Sequence, residues 1–355
     1  MKLKIIINSL ILLFITSIIA LFLSQFISSP EDEYTTKVIY TLNNMQPNSI
    51  DIAIIGPSTS KDAFNSLMVW NRYGITTLNC SFGLLSGPIV KNMIIECIKK
   101  QKPKVILINI DAFLYNNKGV LQNNRYSSIN SLAYYFFPRI KWSLNKISIL
   151  KNLIKYFDFN IKDTIIFLFP ILSTHDLSLN TNKKFFLAPN YESFFTKNDI
   201  QANARRQMLI AHKDKSFYTM ECIEDLFDFC KKLDIPVVFF SVVQPVVFTK
   251  PYITQKTSKR YSSLTSLFKE NGFDYINVNE YYTIRDLKFS YEDSYDGYHL
   301  NYWGSEKYTN YIIKKLVEKY KFEDKRNNPD YSFWNNEAKK YIKHVKDNFD
   351  IDISL

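Results

Sequence analysis

The sequence predicts an α/β protein built on a doubly wound parallel sheet, because short buried strands alternate with helices along the chain. Five apolar runs have the length of buried strands, and they lie at residues 51–55, 76–81, 105–110, 235–243 and 273–278. Segments with apolar residues at helical spacing accompany them, at residues 61–73, 89–100, 214–233, 257–271 and 305–320. This alternation predicts a three-layer domain, with a parallel sheet between two layers of helices.

The N-terminus predicts a membrane anchor. Residues 5–27 are almost uninterrupted apolar sequence, and about 20 such residues cross the core of a bilayer. Lys2 and Lys4 precede this run, so the positive-inside rule predicts a single-pass cell-membrane protein with a cytoplasmic N-terminus and an extracytoplasmic domain. A cleaved signal peptide is the alternative, since Ser28 and Ser29 offer small residues after the run. We expect a retained anchor because the run is long for a signal peptide.

The rest of the chain divides into a spacer, one large domain and an extension. The anchor takes residues 1–28, and a polar spacer at residues 29–48 leads to an α/β domain at residues 49–320. An insertion at about residues 116–214 is rich in Phe and Tyr, and we interpret it as a helical lid or side layer. Residues 321–355 carry apolar residues on one helical face. We expect this extension to dock on the domain, with a membrane-surface helix as the alternative.

Charge and cysteine content narrow the classes of partner. The formal net charge is +11, which favours anionic partners such as phospholipid headgroups or phosphate-rich wall polymers. Nucleic acid is not expected, because the domain is predicted to be exported and shows no dense Lys/Arg cluster. The cysteines lack metal-ligand spacing and are expected to be free buried thiols; they are Cys80, Cys97, Cys222 and Cys230. No metal and no cofactor is predicted.

Two short motifs far apart in the chain predict one active site. Ser58 follows the apolar run at residues 51–55 and Gly56, so we expect it on a sharp turn at the carboxyl end of a strand, where open parallel sheets hold their ligands. Asp296 and His299 lie three residues apart before a predicted helix. At that spacing the carboxylate reaches the imidazole nitrogen that faces away from the serine. A nucleophile, a base and an orienting acid are the parts of a serine triad.

Each motif also has a structural interpretation. Ser58 is placed to cap the helix that follows it, as is Ser60. His299 paired to Asp296 near a helix start could serve packing alone. The occurrence of both motifs, in this order and each in the expected context, favours the catalytic interpretation.

Together the motifs resemble the first and last blocks of the SGNH/GDSL hydrolase superfamily. Four segments follow the order of that family's blocks, at residues 51–60 (DIAIIGPSTS), 73–87 (YGITTLNCSFGLLSG), 102–111 (KPKVILINID) and 296–307 (DGYHLNYWGSEK). They are similar to a membrane-anchored, extracytoplasmic branch that includes proteins of teichoic-acid D-alanylation and polysaccharide O-acetylation. The resemblance covers about residues 51–320. It implies a flavodoxin-like α/β fold and a serine esterase or acyltransferase activity.

The resemblance also implies where the oxyanion donors lie. The backbone amide of Ser58 is one donor, and a glycine amide after the second strand is the other, for which Gly83 fits better than Gly87. The chain departs from the family at the third block, where residues 110–113 (IDAF) offer no asparagine at the matching offset. The asparagines at residues 116–117 are the nearest substitutes. This departure predicts slow hydrolysis of simple esters, or an activity completed by a partner.

We therefore expect an SGNH-like serine esterase or O-acyltransferase acting on acyl esters of a cell-envelope glycan or polymer, with Ser58, His299 and Asp296 as catalytic residues. Its expected partners are that polymer, the membrane through the N-terminal helix, and a membrane acyltransferase. The alternative from another class is a catalytically silent SGNH-like domain that binds glycan or scaffolds such an acyltransferase. A lipid-directed esterase is a third hypothesis, and it predicts an apolar channel facing the anchor.

Overall fold

The structure is a computed structural model of the 355-residue chain. It describes residues 7–9, 11–12, 14–16, 18–19, 27–28, 33–83, 85, 87–113, 143–157, 178–179, 185–189, 192–197, 220–243 and 264–353. The chain divides into two compact units. Residues 1–41 and 117–185 form the first unit, and residues 42–116 and 186–355 form the second.

The secondary structure of the described residues alternates between strands and helices. The strands are β1 (Ile27–Ser28), β2 (Ile52–Ile55), β3 (Thr77–Asn79), β4 (Val105–Asn109), β5 (Ser178–Leu179), β6 (Val237–Phe240) and β7 (Asp274–Ile276). The α-helices are α1 (Glu33–Asn44), α2 (Ser58–Ala63), α3 (Ser66–Tyr73), α4 (Gly87–Ile98), α5 (Leu144–Phe157), α6 (Met220–Cys230), α7 (Tyr281–Asp286), α8 (Tyr302–Lys319) and α9 (Ser332–Phe349). Residues 264–270 are also helical.

The second unit is built on one parallel sheet. Its spatial order is β3-β2-β4-β6-β7, and every neighbouring pair of strands is parallel. Counted along the chain, this order is 2-1-3-4-5, the doubly wound arrangement in which ligands bind outside the carboxyl ends of the first and third strands. The predicted α/β class with a parallel sheet is confirmed. The topology makes the carboxyl ends of β2 and β4 the expected place for a functional site.

Helices cover both faces of this sheet. On one face, the alternate residues of the strands form a core with α2, α3 and α8 that includes Phe64 and Ile312. On the other face, the Phe239 ring of β6 packs against Phe227 of α6 and Phe268, with ring centroids 5.6 and 4.4 Å apart. Burying one such side chain stabilises the fold by roughly 1.5–3 kcal/mol. The sheet is therefore a rigid support for the loops at its edge.

The segment after the first strand of the sheet differs from its prediction, because the helix expected at residues 61–73 is two helices. Asn65 begins α3 as its N-cap, and its side-chain oxygen accepts a hydrogen bond from the Met68 amide at 3.0 Å. Phe64, just before it, has an extended backbone and buries its ring edge-on against Tyr308. The break confines α2 to six residues that open at Ser58.

The C-terminal extension packs on the second unit through α9. The Trp70 ring of α3 lies against Tyr331 and Trp334, with ring centroids 6.1 and 5.7 Å apart. Farther along α9, the Tyr341 hydroxyl accepts a hydrogen bond from the Asn65 amide group at 3.0 Å. Trp334 and Tyr341 are both buried. Helix α3 is thus covered by the C-terminal extension.

The segment predicted to be a polar spacer contains an ordered helix. In α1 the side chains of Val38, Ile39 and Leu42 are buried, and their spacing places them on one helical face. After α1, within the second unit, the side-chain oxygen of Gln101 accepts a hydrogen bond from the Ser49 amide at 3.1 Å. The segment predicted as a polar spacer thus includes a helix with an apolar face.

The predicted anchor is described only in part. The described residues from 7 to 19 are helical, and β1 pairs antiparallel with β5 through Ile27 and Leu179. Among the described residues, no helix combines the length and the apolar character needed to cross a bilayer. Other predictions lie outside the described residues. They include most of the insertion at residues 116–214, with the asparagines at 116–117, and parts of the helices predicted at 214–233 and 257–271.

Candidate active site

Ser58 stands on a tight turn at the carboxyl end of β2. Strand β2 ends at Ile55, and Gly56 leads into Pro57, whose extended backbone precedes the first turn of α2. A Cβ atom at Gly56 would lie 2.2 Å from the Ser60 hydroxyl oxygen, so only glycine lets the chain turn this closely. The serine therefore opens a short helix at the sheet edge, as the sequence predicts.

A buried polar cluster supports the turn from below. Asn109, the last residue of β4, donates from its side-chain amide to the hydroxyl oxygens of Ser60 and Thr59 at 2.6 and 3.2 Å. Its side-chain oxygen accepts a hydrogen bond from the Asp111 amide at 2.8 Å. Thr59 in turn donates to Asp111 Oδ2 at 3.3 Å. All four residues are buried, so the turn that carries Ser58 is pinned to the neighbouring strand of the sheet.

The loop that carries His299 is shaped by capping and by one left-handed residue. Ser290 and Asp293 form a capping box at the start of the loop. Ser294 then pairs with Leu300 in an isolated antiparallel bridge, which closes the loop on itself. Gly297, between them, has φ of +82°, a conformation that a side chain disfavours. The closed loop presents its central residues toward the serine.

The loop is joined tightly to α8. Asn301 is the N-cap of α8, and its side-chain oxygen accepts a hydrogen bond from the Gly304 amide at 3.1 Å. Its amide group donates to the carbonyls of Glu292 and Ser294 at 2.6 and 3.3 Å. A Cβ atom at Gly304 would lie 2.1 Å from the Asp293 carbonyl oxygen. Glycine therefore allows the first turn of α8 to touch the loop, and a single asparagine caps the helix and braces the loop.

The three predicted catalytic side chains lie within hydrogen-bond distance of one another. Ser58 Oγ is 2.9 Å from His299 Nε2, and His299 Nδ1 is 2.6 Å from Asp296 Oδ2. The other carboxylate oxygen, Asp296 Oδ1, accepts hydrogen bonds from the amides of Tyr298 and His299 at 2.8 and 2.7 Å. With Nδ1–H donating to the carboxylate, Nε2 is the basic nitrogen that faces the serine hydroxyl.

This arrangement is accessible from solvent. The side chains of His299 and Asp296 are 19% and 33% exposed, and Ser58 is partly buried. Ser58 does not serve as a helix cap, since the N-cap position of α2 belongs to Pro57 and no side chain caps it. An acyl group that approaches the sheet edge can therefore meet the serine hydroxyl and its base together.

The predicted oxyanion glycine lies beside the nucleophile turn. Phe82, the residue before it, donates from its backbone amide to the Gly56 carbonyl at 3.2 Å. A Cβ atom at Gly83 would meet nothing within 4 Å, so there is free space beside its Cα. Gly87 differs, because a Cβ atom there would lie 2.5 Å from the Phe113 ring. Gly87 thus serves close packing, and a donor role for Gly83 stays a prediction.

The buried thiol of Cys80 is not a competing nucleophile. Cys80 follows β3 and is fully buried. A hydrogen bond with Cys97 and burial raise the pKa of the Cys80 thiol well above its usual value. A thiol in that state is protonated at neutral pH, and a thiol attacks as its thiolate. Among the described residues, no group of three or more His, Cys, Asp or Glu side chains is arranged to hold a metal ion.

The sequence did not point to three residues that support the site: Asn109, Asp62 and Tyr295. Asn109 is the one polar side chain in the otherwise apolar strand β4, and that contrast was a usable signal. Asp62 lies four residues after Ser58 in α2, a spacing that puts both on one helical face. Tyr295 directly precedes Asp296 and carried no signal, because Asp62, which accepts a hydrogen bond from its hydroxyl, lies 233 positions away in the sequence.

Comparison with known proteins adds little to this description. No protein-family model matches the chain, and no curated protein matches it. Among solved structures, a candidate acylhydrolase from Bacteroides fragilis is similar to this chain with a TM-score of 0.37 and 11% sequence identity. The similarity covers 80% of this chain and 97% of that protein.

Proposed function

We propose that this protein is an SGNH-like serine esterase or O-acyltransferase in which Ser58 is the nucleophile. The observation that carries the proposal is the hydrogen-bonded series from Ser58 Oγ through the His299 imidazole to the Asp296 carboxylate. The series stands at the carboxyl edge of a parallel sheet and is partly exposed to solvent. A nucleophile, a base and an orienting acid in hydrogen-bond contact are the arrangement that acyl transfer requires.

The reaction has two halves. Ser58 Oγ attacks the carbonyl carbon of an ester while its proton moves to His299 Nε2, and the tetrahedral intermediate collapses to acyl-Ser58. The imidazolium proton goes to the departing alkoxide, which leaves as an alcohol. In the second half, His299 takes a proton from water or from an acceptor hydroxyl as that oxygen attacks the acyl carbon. The bond between the acyl carbon and Ser58 Oγ then breaks, His299 returns its proton to Ser58 Oγ, and the acid or the acylated acceptor leaves. A positioned base of this kind accelerates a reaction by about 10²–10⁴-fold.

Asp296 orients the base and stabilises its charge. One of its oxygens accepts from His299 Nδ1, and the other is held by two backbone amides of the same loop. The carboxylate therefore cannot rotate away without breaking three hydrogen bonds. For the oxyanion we assign the backbone amides of Ser58 and Gly83, a pair that matches the resemblance noted above. Each oxyanion donor is worth about 10²–10³ in rate where one has been removed.

The proposed substrate is an acyl ester on a cell-envelope glycan or polymer. The resemblance to the membrane-anchored branch, the predicted anchor at residues 1–28 and the net charge of +11 support this substrate. A basic domain outside the membrane attracts anionic polymers. A membrane acyltransferase that delivers the acyl group is the proposed partner.

Release of acetate from O-acetylated envelope polysaccharide by the full chain tests the proposal, with Ser58→Ala as the control. We expect release by the wild-type protein and none above background by the variant. Adding an acceptor sugar distinguishes the two reactions, since an acyltransferase would form the acylated sugar in place of free acetate. Equal release by both proteins would rule out Ser58 as the nucleophile.

A second candidate function is a silent domain that binds glycan or scaffolds an acyltransferase. It is favoured by the third block, where Asn109 donates its side-chain amide to Ser60 and Thr59 beneath the nucleophile turn. A silent domain would retain the polysaccharide in a pull-down but release no acetate. The Ser58→Ala variant of such a domain would bind the polysaccharide as well as the wild-type protein does.

A further inference from the structure

A tyrosine and a buried aspartate join the two segments that carry the candidate catalytic residues. Tyr295 lies in the loop directly before Asp296, and its hydroxyl donates to Asp62 Oδ2 at 2.8 Å. Asp62 lies in α2, four residues after Ser58. This hydrogen bond therefore connects the same two segments, α2 and the His299 loop, as the contact between Ser58 and His299.

Tyr295 also contacts the imidazole itself. Its ring lies parallel to the His299 ring, with an interplanar angle of 9° and centroids 5.6 Å apart. Its backbone amide donates to the His299 carbonyl at 3.3 Å. Tyr298 approaches the imidazole edge-on, with centroids 4.9 Å apart and an angle of 90°. The histidine ring thus contacts two aromatic rings, and one of them is hydrogen-bonded to the helix that carries Ser58.

Burial strengthens the hydrogen bond between Tyr295 and Asp62. The Asp62 side chain is fully buried, and its other oxygen lies 3.3 Å from Lys61 Nζ. A hydrogen bond to a charged group is stronger than one between neutral groups, and a buried carboxylate that loses a partner bears a full desolvation penalty. A movement of the Tyr295 loop away from α2 is therefore opposed by a charged, buried acceptor. A surface tyrosine would exert no such restraint.

We propose that Tyr295 and Asp62 are positioning residues for acyl transfer, which set the distance from His299 Nε2 to Ser58 Oγ. The inference rests on the proposed function, because it concerns the geometry of that proton transfer. Neither residue touches the reacting atoms. A displacement of about 1 Å between reacting groups can cost about 10²-fold in rate, and this bond opposes such a displacement.

The test is the rate at which a fluorophosphonate probe labels the full chain and its variants. Tyr295→Phe keeps the ring against His299 but removes the hydroxyl, and Asp62→Ala removes the acceptor. We expect each to lower the maximal labelling rate by about 10–100-fold, with the concentration for half-maximal labelling unchanged. The double variant should label no more slowly than the slower single variant, because both changes break one bond. Asp62→Asn keeps an acceptor oxygen and should recover most of the rate.

The matched control is Tyr320→Phe. Its hydroxyl also donates to an aspartate, Asp274 Oδ2 at 3.2 Å, but at the far end of α8, and we expect wild-type labelling. Wild-type rates for Tyr295→Phe, or losses that multiply in the double variant, would overturn the positioning role while leaving the proposed function standing. If the folded wild-type chain is not labelled, the proposed function fails and the inference fails with it. Should Asp62→Ala unfold, Tyr295→Phe and Asp62→Asn decide the question.

Discussion

The two ends of strand β2 each hold a polar cluster formed by residues far apart in sequence, and the two clusters differ in exposure. At the amino end, Asp51 pairs with Lys325 Nζ at 2.7 Å and accepts a hydrogen bond from the Thr76 hydroxyl at 2.9 Å. At the carboxyl end, Ser58 meets His299 at 2.9 Å. The Asp51 and Lys325 side chains are only 2% and 12% exposed, whereas the second cluster is open to solvent.

From this difference we interpret the first cluster as structural and the second as the candidate active site. The carboxylate of Asp51 is paired with Lys325 and Thr76 inside the fold. The cluster therefore joins the C-terminal extension to the start of the sheet. The Nε2 atom of His299 faces the Ser58 hydroxyl at an accessible edge of the sheet. Removal of a residue at the amino end should therefore cost stability, and removal of a residue at the carboxyl end should cost activity.

The largest expected effect is on activity, from Asp296→Asn. The new side chain keeps an oxygen for the amides of Tyr298 and His299, so the loop should stay folded, but its amide group disfavours the productive tautomer of the imidazole. We expect the labelling and hydrolysis rates to fall by about 10³–10⁴-fold. The free energy of unfolding should change little, as measured by urea denaturation. A variant within tenfold of the wild-type rate would show that Asp296 does not orient the base.

At the opposite end, Asp51→Ala should destabilise the protein without changing its chemistry. Removing one partner of a buried ion pair costs about 3–5 kcal/mol, because the other charge is left without compensation. Urea denaturation measures this loss, and the labelling rate of the folded variant should equal that of the wild type. Lys104→Met is the matched control, since Lys104 lies 3.6 Å from Asp51 with its side chain 42% exposed. It should cost less than about 1 kcal/mol.

A pair of substitutions at Gly83 sharpens the assignment of the oxyanion site. Gly83→Ala keeps the backbone amide and adds a methyl group where a Cβ atom meets nothing within 4 Å, so its rate should stay within about threefold of wild type. Gly83→Pro removes the amide and should lower the rate by about 10²–10³-fold. Thermal unfolding confirms that both variants are folded. Equal rates for the two variants would exclude this amide as a donor.

The smallest expected effect is a loss of folding stability at alkaline pH, and it depends on one tyrosine at each end of α8. Burial raises the pKa of Tyr302 at one end to about 12, and burial together with Asp274 raises that of Tyr320 at the other end to about 12. The unfolded chain loses these protons near its ordinary value of 10.0. Their stabilising contribution is therefore complete below pH 10 and is lost as the pH rises toward 12.

Urea denaturation between pH 9 and pH 12 measures this loss. Tyr302→Phe and Tyr320→Phe should each show a shallower decline in the free energy of unfolding than the wild type, because phenylalanine has no proton to lose. An unchanged slope in either variant would contradict the burial of that hydroxyl.

The strands and the two motifs were predictable from the sequence because each has a local signal. Runs such as the one that became β4 are short and apolar, and Ser58 and His299 are each marked by neighbours at fixed spacing. The limits of elements were less predictable. The break at Phe64 depends on a ring that packs against Tyr308, a contact between residues 244 positions apart, and no pattern within α2 or α3 reveals it.

The support of the site was not predictable for a related reason. Asp62 and Tyr295 acquire their role from one hydrogen bond between residues that are 233 positions apart. Asn109 braces the nucleophile turn only because β4 lies beside β2 in the sheet. The predicted spacer at residues 29–48 also contains apolar residues at helical spacing, and they lie in α1. Local patterns thus predicted residues that the structure brings together, and tertiary contacts were needed to find their supports.

An activated nucleophile at Ser58 is tested by treating the folded full chain with a fluorophosphonate and mapping the adduct by peptide mass spectrometry. We expect a single adduct on Ser58 that is absent from Ser58→Ala and from His299→Ala. A folded wild-type chain that stays unlabelled, or an adduct that persists in Ser58→Ala, would contradict it.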